Sequence, residues 1–227
     1  MIELLLNKTK LLCLGAYFLA VKFSVTSRNY HHGDLKAALI EAANTLLKEK
    51  GIEALSLRTL ASMVGVSHMA PYAHFKNKSE LFQAIAASGF NALAQRQAAV
   101  SMDQSPAQLI LDYGSEYIEF AIDNAPLYRL MLSQTQVTGP QQDMSPNTHL
   151  SDDLKAASKR PYILLMNAFA LISKDKDTQN VRAQGAWAMV HGIASLLIDG
   201  HLNIPKGMNI KTFLAKASTQ VLDLKDT

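Results

Sequence analysis

Residues 51–82 read GIEALSLRTLASMVGVSHMAPYAHFKNKSELF, and the fold follows from how this stretch is punctuated. Ser56 stands before LRTLASMV, in which Leu57, Leu60, Ala61 and Val64 fall on one face at three- and four-residue spacing before Gly65 ends the run. A short helix is therefore predicted from 57 to 64, with Ser56 as N-cap and Gly65 as the left-handed C-terminal residue. Ser67 follows Gly65-Val66 and is read as the N-cap of a second helix opening HMAPYAHF, while Pro71, one turn in, limits its length. Asn77 with Glu80 three residues later makes a capping-box-like start for LFQAIAASGFNALAQRQAAV.

Two short helices joined by a glycine turn form a helix-turn-helix, whose second helix enters the major groove of DNA. The residue types suit that geometry. Ala61 is small where the helices cross, Gly65 supplies a positive φ, and Val66 fills the angle between them. Ser56 and Ser67 mark helix starts, where free backbone N–H groups welcome a phosphate. Arg58, Lys76 and Lys78 flank the unit, and His68, Tyr72 and His74 offer hydrogen-bonding side chains. A purely structural αα-corner could carry the same pattern, and capping plus a solvated charge would account for Ser56 and Arg58 without DNA.

Upstream, Asp34–Lys50 has Leu35, Ala38, Leu39, Ala42, Leu46 and Leu47 at helical spacing, closed by Gly51. Downstream, further helices are predicted at 106–124, 126–132, 152–172, 181–201 and 209–224. The polar runs 133–151 and 173–180 read as loops. No strand pattern and no internal repeat occurs, so the expected fold class is all-α. The division expected is an N-terminal extension 1–27, a three-helix helix-turn-helix domain 28–80 and a C-terminal helical domain 81–227.

In the extension, Leu11–Val21 is an apolar run behind Lys8 and Lys10, too short to span a bilayer of about 30 Å. It could serve as a signal peptide cleaved near Val25–Ser27, as an extra packed helix, or reflect a start codon assigned too far upstream. No function is assigned to it. Composition narrows the rest. At 48% hydrophobic and 18% charged, the chain is neither disordered nor fibrous. Cys13 is the single cysteine, which excludes an intrachain disulfide and a multi-thiolate zinc site. Residues 1–80 carry ten Lys/Arg against six acids, and the remaining 147 carry twelve against thirteen. A polyanion is thus expected to meet the first third.

The stretch Tyr30-His31-His32-Gly33-Asp34-Leu35 together with 51–82 resembles the DNA-binding domain of TetR/AcrR-type transcriptional regulators. Trp187-Ala188-Met189-Val190-His191-Gly192, running on to Asp199-Gly200, resembles the W-x-x-x-H-G signature of one C-terminal subclass of that family. The resemblance implies that Tyr72 and Lys78 contact phosphates and that Phe75 sits in the small domain's core. It implies a homodimer built as a four-helix bundle from the last two helices of each subunit; Ala188, Gly192, Ser195, Phe213, Ala217 and Val221 suit that face. It also implies a cavity for a small organic ligand. Tyr113, Tyr117, Phe120, Tyr128, Met131, Met166, Phe169, Trp187, Met189 and His191 are the candidate lining, with Arg129 a further polar handle.

Base reading is expected from Ser67, His68, Met69 and His74, since recognition helices read with their N-terminal residues. His31 and His32 point to different faces and no acid or cysteine completes a metal or proton-relay site; with Arg28 they suit a basic arm reaching DNA. No nucleophile elbow, phosphate loop or metal-ligand spacing appears, so no catalytic residue, metal or cofactor is expected. The reading is a cytoplasmic, homodimeric, ligand-responsive regulator that binds a palindromic DNA operator, has no membrane partner and is released by the ligand. Its alternatives are a protein that coats DNA without sequence preference and an exported helical binding protein.

Overall fold

The structure, a computed structural model, describes residues 35–135 and 150–222, with the side chains of 219–222 excepted. The extension 1–27, Arg28, the 30–34 stretch with His31 and His32, most of the predicted 133–151 loop and the side chain of Val221 lie outside the described residues. Eight α-helices make up most of what is described, with no strand among those residues. They are α1 (Leu35–Lys50), α2 (Leu57–Val64), α3 (Lys78–Ala98), α4 (Pro106–Asp123), α5 (Ala125–Thr135), α6 (Asp152–Ala170), α7 (Lys176–Ile198) and α8 (Ile210–Leu222).

The local signals act where the sequence places them. Ser56 Oγ accepts the Thr59 N–H at 3.0 Å, starting α2. Gly65 ends it at φ 77°, and the Gly65 and Val66 N–H groups both return to the Ala61 carbonyl. Asn77 Oδ1 accepts the Glu80 N–H at 2.9 Å, and Glu80 Oε2 accepts the Lys76 N–H at 2.8 Å, one residue before the usual capping-box target. Asn77→Ala should therefore cost about 0.5–2 kcal/mol, read as a lower urea midpoint at unchanged slope.

Two expectations need correction. Ser67 does not cap an α-helix: His68 and Met69 form a turn, and a 3₁₀ turn occupies Ala70–Ala73. The cause is Pro71. An α-helix from Ser67 would need an N–H at 71 to reach the Ser67 carbonyl, and proline has none. The Ala70 N–H takes that carbonyl instead, at 3.0 Å, and Tyr72 and His74 continue with bonds to Met69 and Pro71. The second departure is at 173–180, read as a loop from its polar composition. Asp175 caps Thr178 at 2.9 Å, and α7 begins at Lys176.

Two large buried clusters and a small third one, Leu109, Tyr113 and Ala168, hold the described helices. Leu39, Leu47, Leu57, Leu60, Phe75, Leu81 and Ile85 bring α1, α2 and the start of α3 together, with Leu130 of α5 joining them. Phe90, Leu93, Tyr117, Ile118, Tyr128, Met131, Leu154, Val190 and Leu214 form the larger one across α3–α8. Arg96 of α3 ties to α4 through Glu116, Glu119 at 3.3 Å and Asp123 at 3.0 Å. Gly114 sets how closely α7 and α8 approach α4: a Cβ there would stand 2.6 Å from Leu214 Cδ2 and 3.1 Å from Val190 Cγ1.

Candidate functional site

Phe75 belongs to the first cluster and Pro71 is buried as well, while the residues between them, Tyr72, Ala73 and His74, are exposed. Phe75 is 1% exposed, whereas Tyr72 is 49% and Met69 72% exposed. Ser67, His68, His74, Arg58 and Lys78 are exposed as well, so seven of the eight expected DNA-facing residues are open to solvent. Ser56 is half-buried and its hydroxyl is committed to Thr59, both to the backbone N–H and to Oγ1 at 2.7 Å. What Ser56 leaves for a phosphate is the start of α2, where the Leu57 and Arg58 N–H groups have no intrahelical acceptor. Arg58, Lys76 and Lys78 form no ion pair among the described residues, and Lys78 Nζ lies 5.1 Å over the Phe82 ring. Large exposed apolar and aromatic groups between unpaired cations suit a polyanion with groove walls to fill.

The second site is a cavity of about 990 Å³ bounded by α3, α4, α6, α7 and α8. It is large enough for a drug-sized molecule. Of the residues expected around a ligand, Tyr113, Tyr117, Phe169, Trp187 and Met189 line it. Phe120, Tyr128 and Met131 are buried in packing rather than in its wall, and Met166, His191 and Arg129 do not line it either. Arg129 is instead on the surface, paired with Asp199 at 2.5 Å. The wall also includes groups that periodicity did not single out: Gln97, Ile110, Leu165, Val181, Arg182, Leu214 and Lys216. Gln97 had a signal, a polar residue in the stripe Leu93-Ala94-Gln97 of an otherwise apolar helix face. It is 3% exposed, its Nε2 donates to the Tyr113 carbonyl at 3.0 Å, and its Oε1 has no partner among the described residues.

At Tyr117 in the wall, three polar groups separated in sequence converge. The Tyr117 and Tyr128 hydroxyls are 3.1 Å apart and lie 3.3 and 3.1 Å from His191 Nδ1. Trp187, which lines the cavity, stacks on the His191 ring with centroids 5.3 Å apart. A neutral imidazole with Nδ1 as acceptor satisfies this triangle: one hydroxyl donates to the other, and the second donates to nitrogen. Burial raises the pKa of both tyrosines, Tyr117 most strongly, and lowers that of His191 below its ordinary 6.5. The unfolded chain thus takes up the proton at higher pH than the folded one. The stability His191 contributes is full above about 6.5 and is lost as pH falls below it. Thermal melts of the parent and His191→Phe between pH ~7.5 and ~5.5 should show a steeper acid decline in the parent; parallel declines would refute it.

Of the residues expected at a subunit interface, Ala188 is exposed, while Gly192, Ser195, Phe213 and Ala217 are half-buried. A Cβ on Gly192 would meet nothing within 4 Å. No group of three or more metal-ligating side chains occurs among the described residues, and none of the described helices is long and apolar enough to cross a membrane.

Comparison with known proteins now adds to this geometry. Residues 39–85 match the N-terminal domain of bacterial regulatory proteins of the tetR family, and 110–214 match a tetracyclin repressor-like C-terminal domain. A solved protein of unknown function from a Rhodococcus species is 29% identical at a TM-score of 0.67, over 85% of this chain and 96% of its own. PfmR, a TetR family transcriptional regulator from Thermus thermophilus, is 19% identical, at 0.50, over 83% and 99%. The multidrug binding protein EbrR, solved with imidazole, is 17% identical, at 0.51, over 85% and 97%. The last two establish the fold alone. None of the curated proteins compared with the chain matches it. The chain belongs to the TetR family of bacterial transcriptional regulators, with the family's N-terminal domain at 39–85 and a tetracyclin repressor-like C-terminal domain at 110–214. Proteins of this family are DNA-binding regulators that act as dimers, not enzymes.

Proposed function

We propose that this chain is a cytoplasmic, homodimeric one-component repressor whose 28–80 segment binds a (pseudo)palindromic operator and whose 81–227 segment senses a small organic molecule. The observation that carries it is the recognition segment, where Pro71 and Phe75 are buried while Met69, Tyr72 and His74 between and beside them are exposed. Phosphate contacts fall to Tyr72, Lys78, Arg58 and the α2 N-terminus at Ser56, and base reading to Ser67, His68, Met69 and His74. The Trp187–Gly192 stretch marks the W-x-x-x-H-G subclass. Ala188 and Gly192 of α7, with Phe213 and Ala217 of α8, supply small and apolar surface for a partner's helices.

Release is a population shift. The two recognition segments must sit about one helical turn of DNA apart, so a ligand preferring another subunit spacing weakens binding by its differential affinity for the two states. Selection of DNA from a random library by the purified chain tests the reading. Enrichment of an inverted repeat supports it; binding with steep salt dependence and no enriched sequence would replace it with a non-specific DNA coat.

A further inference from the structure

We infer that the cavity takes an organic anion with a long apolar body, such as an alkyl carboxylate, held by its charge at Arg182. This rests on the reading of the cavity as the effector site. Most of the wall is apolar: Ile110, Leu111, Leu165, Phe169 and Val190 are typical of it, and it offers an alkyl or fused-ring body extended contact. Among the described residues its charged groups are of one sign, Arg182 from α7 and Lys216 from α8, and no aspartate or glutamate lines it.

The acids on the neighbouring helix α4 are engaged elsewhere. Asp112 pairs with Lys211, and Glu116, Glu119 and Asp123 gather on Arg96. That pairing with Lys211 holds the Asp112 carboxyl below its ordinary range against a desolvation that pushes it up, so the carboxylate is retained there as the lysine's partner. Of the inner polar groups, Tyr117 is committed to Tyr128 and His191 and the Gln97 amide nitrogen to the Tyr113 carbonyl, while Gln97 Oε1 has no partner among the described residues. Arg182 is exposed and makes no ion pair among the described residues. A cationic ligand would meet the Arg182 guanidinium and no acid among the described lining residues; a neutral one would leave the guanidinium's fork unused.

Trp187 is the chain's single tryptophan and lines the cavity, so its fluorescence reports occupancy. The full chain is titrated, below micelle-forming concentrations, with dodecanoate, dodecan-1-ol and dodecyltrimethylammonium. Dodecanoate should give a saturable change at a Kd about tenfold or more below the other two. Arg182→Ala should bring dodecanoate to the alcohol's affinity and leave the alcohol unchanged. Equal or tighter binding of the alcohol or the ammonium compound overturns the anionic class and leaves the cavity as an effector site. No saturable change with any of the three, in protein with parental thermal stability, overturns the inference and the effector reading together. Gly185→Leu, at a lining glycine over which a Cβ meets nothing within 4 Å, should weaken dodecanoate. Undiminished binding there would place the ligand elsewhere and overturn the assignment.

Discussion

Phe75→Ala should destabilise the chain by about 3–5 kcal/mol, a large part of the roughly 5–15 kcal/mol that a typical domain has in total. The ring is 1% exposed and belongs to the same buried cluster as Leu39, Leu47, Leu57, Leu81 and Ile85. Truncation removes the apolar transfer free energy and leaves a cavity that the surrounding helices can only partly close. The position also closes the 3₁₀ turn: its N–H reaches the Pro71 carbonyl at 2.9 Å, so backbone and side chain fix the recognition segment at one point. Phe75→Leu keeps most of the volume and should cost less than about half as much. Urea unfolding followed by far-ultraviolet circular dichroism reads both variants. A loss under about 1 kcal/mol for the alanine variant would mean that the segment is not anchored through this ring.

The contrast between Phe75 and its neighbours shows which parts of the architecture are legible in the sequence. Caps are local, so Ser56, Gly65 and Asn77 could be read off and are found with the expected bonds, while Glu80 reaches back one residue further, to the Lys76 N–H. Pro71 was equally visible, but its consequence required following each carbonyl to its donor, and the expected α-helical turn becomes a 3₁₀ one. At Asp175, composition misled. A polar run looks like a loop until one carboxylate is recognised as a cap, after which the run is the first turn of a helix. The cavity was legible only in part, because periodicity tells which face of a helix is apolar but not whether that face meets another side chain or a void. Tyr113 and Trp187 line the space while Phe120 and Met131 fill the core, and nothing in their spacing separates them. Tyr117, Tyr128 and His191 meet across 74 and 63 residues of chain, a convergence that only tertiary packing produces.

Replacing Tyr72 and Lys78 together by alanine should abolish operator recognition while leaving the fold intact. Both side chains are exposed, and neither is part of a buried cluster, so the stability change should stay within about 0.5 kcal/mol. Their position argues for the large effect on DNA. Tyr72 projects from the 3₁₀ turn and Lys78 opens α3, so the two flank the Phe75 anchor and would hold the recognition segment at a fixed depth in the groove. A hydrogen bond to a charged group contributes about 1.5–3 kcal/mol. With two protomers on one operator, loss of both residues should weaken binding by at least about a hundredfold. Lys78 is the only charge lost, once per protomer, so the slope of log K against log salt should fall by about two. Lys174→Ala, an exposed lysine with no ion pair among the described residues and far in sequence from the helix-turn-helix, should leave affinity and slope at parental values. A fall in affinity with an unchanged slope would take Lys78 off the phosphates and leave Tyr72 as the contact; unchanged affinity would move the DNA surface away from this segment altogether.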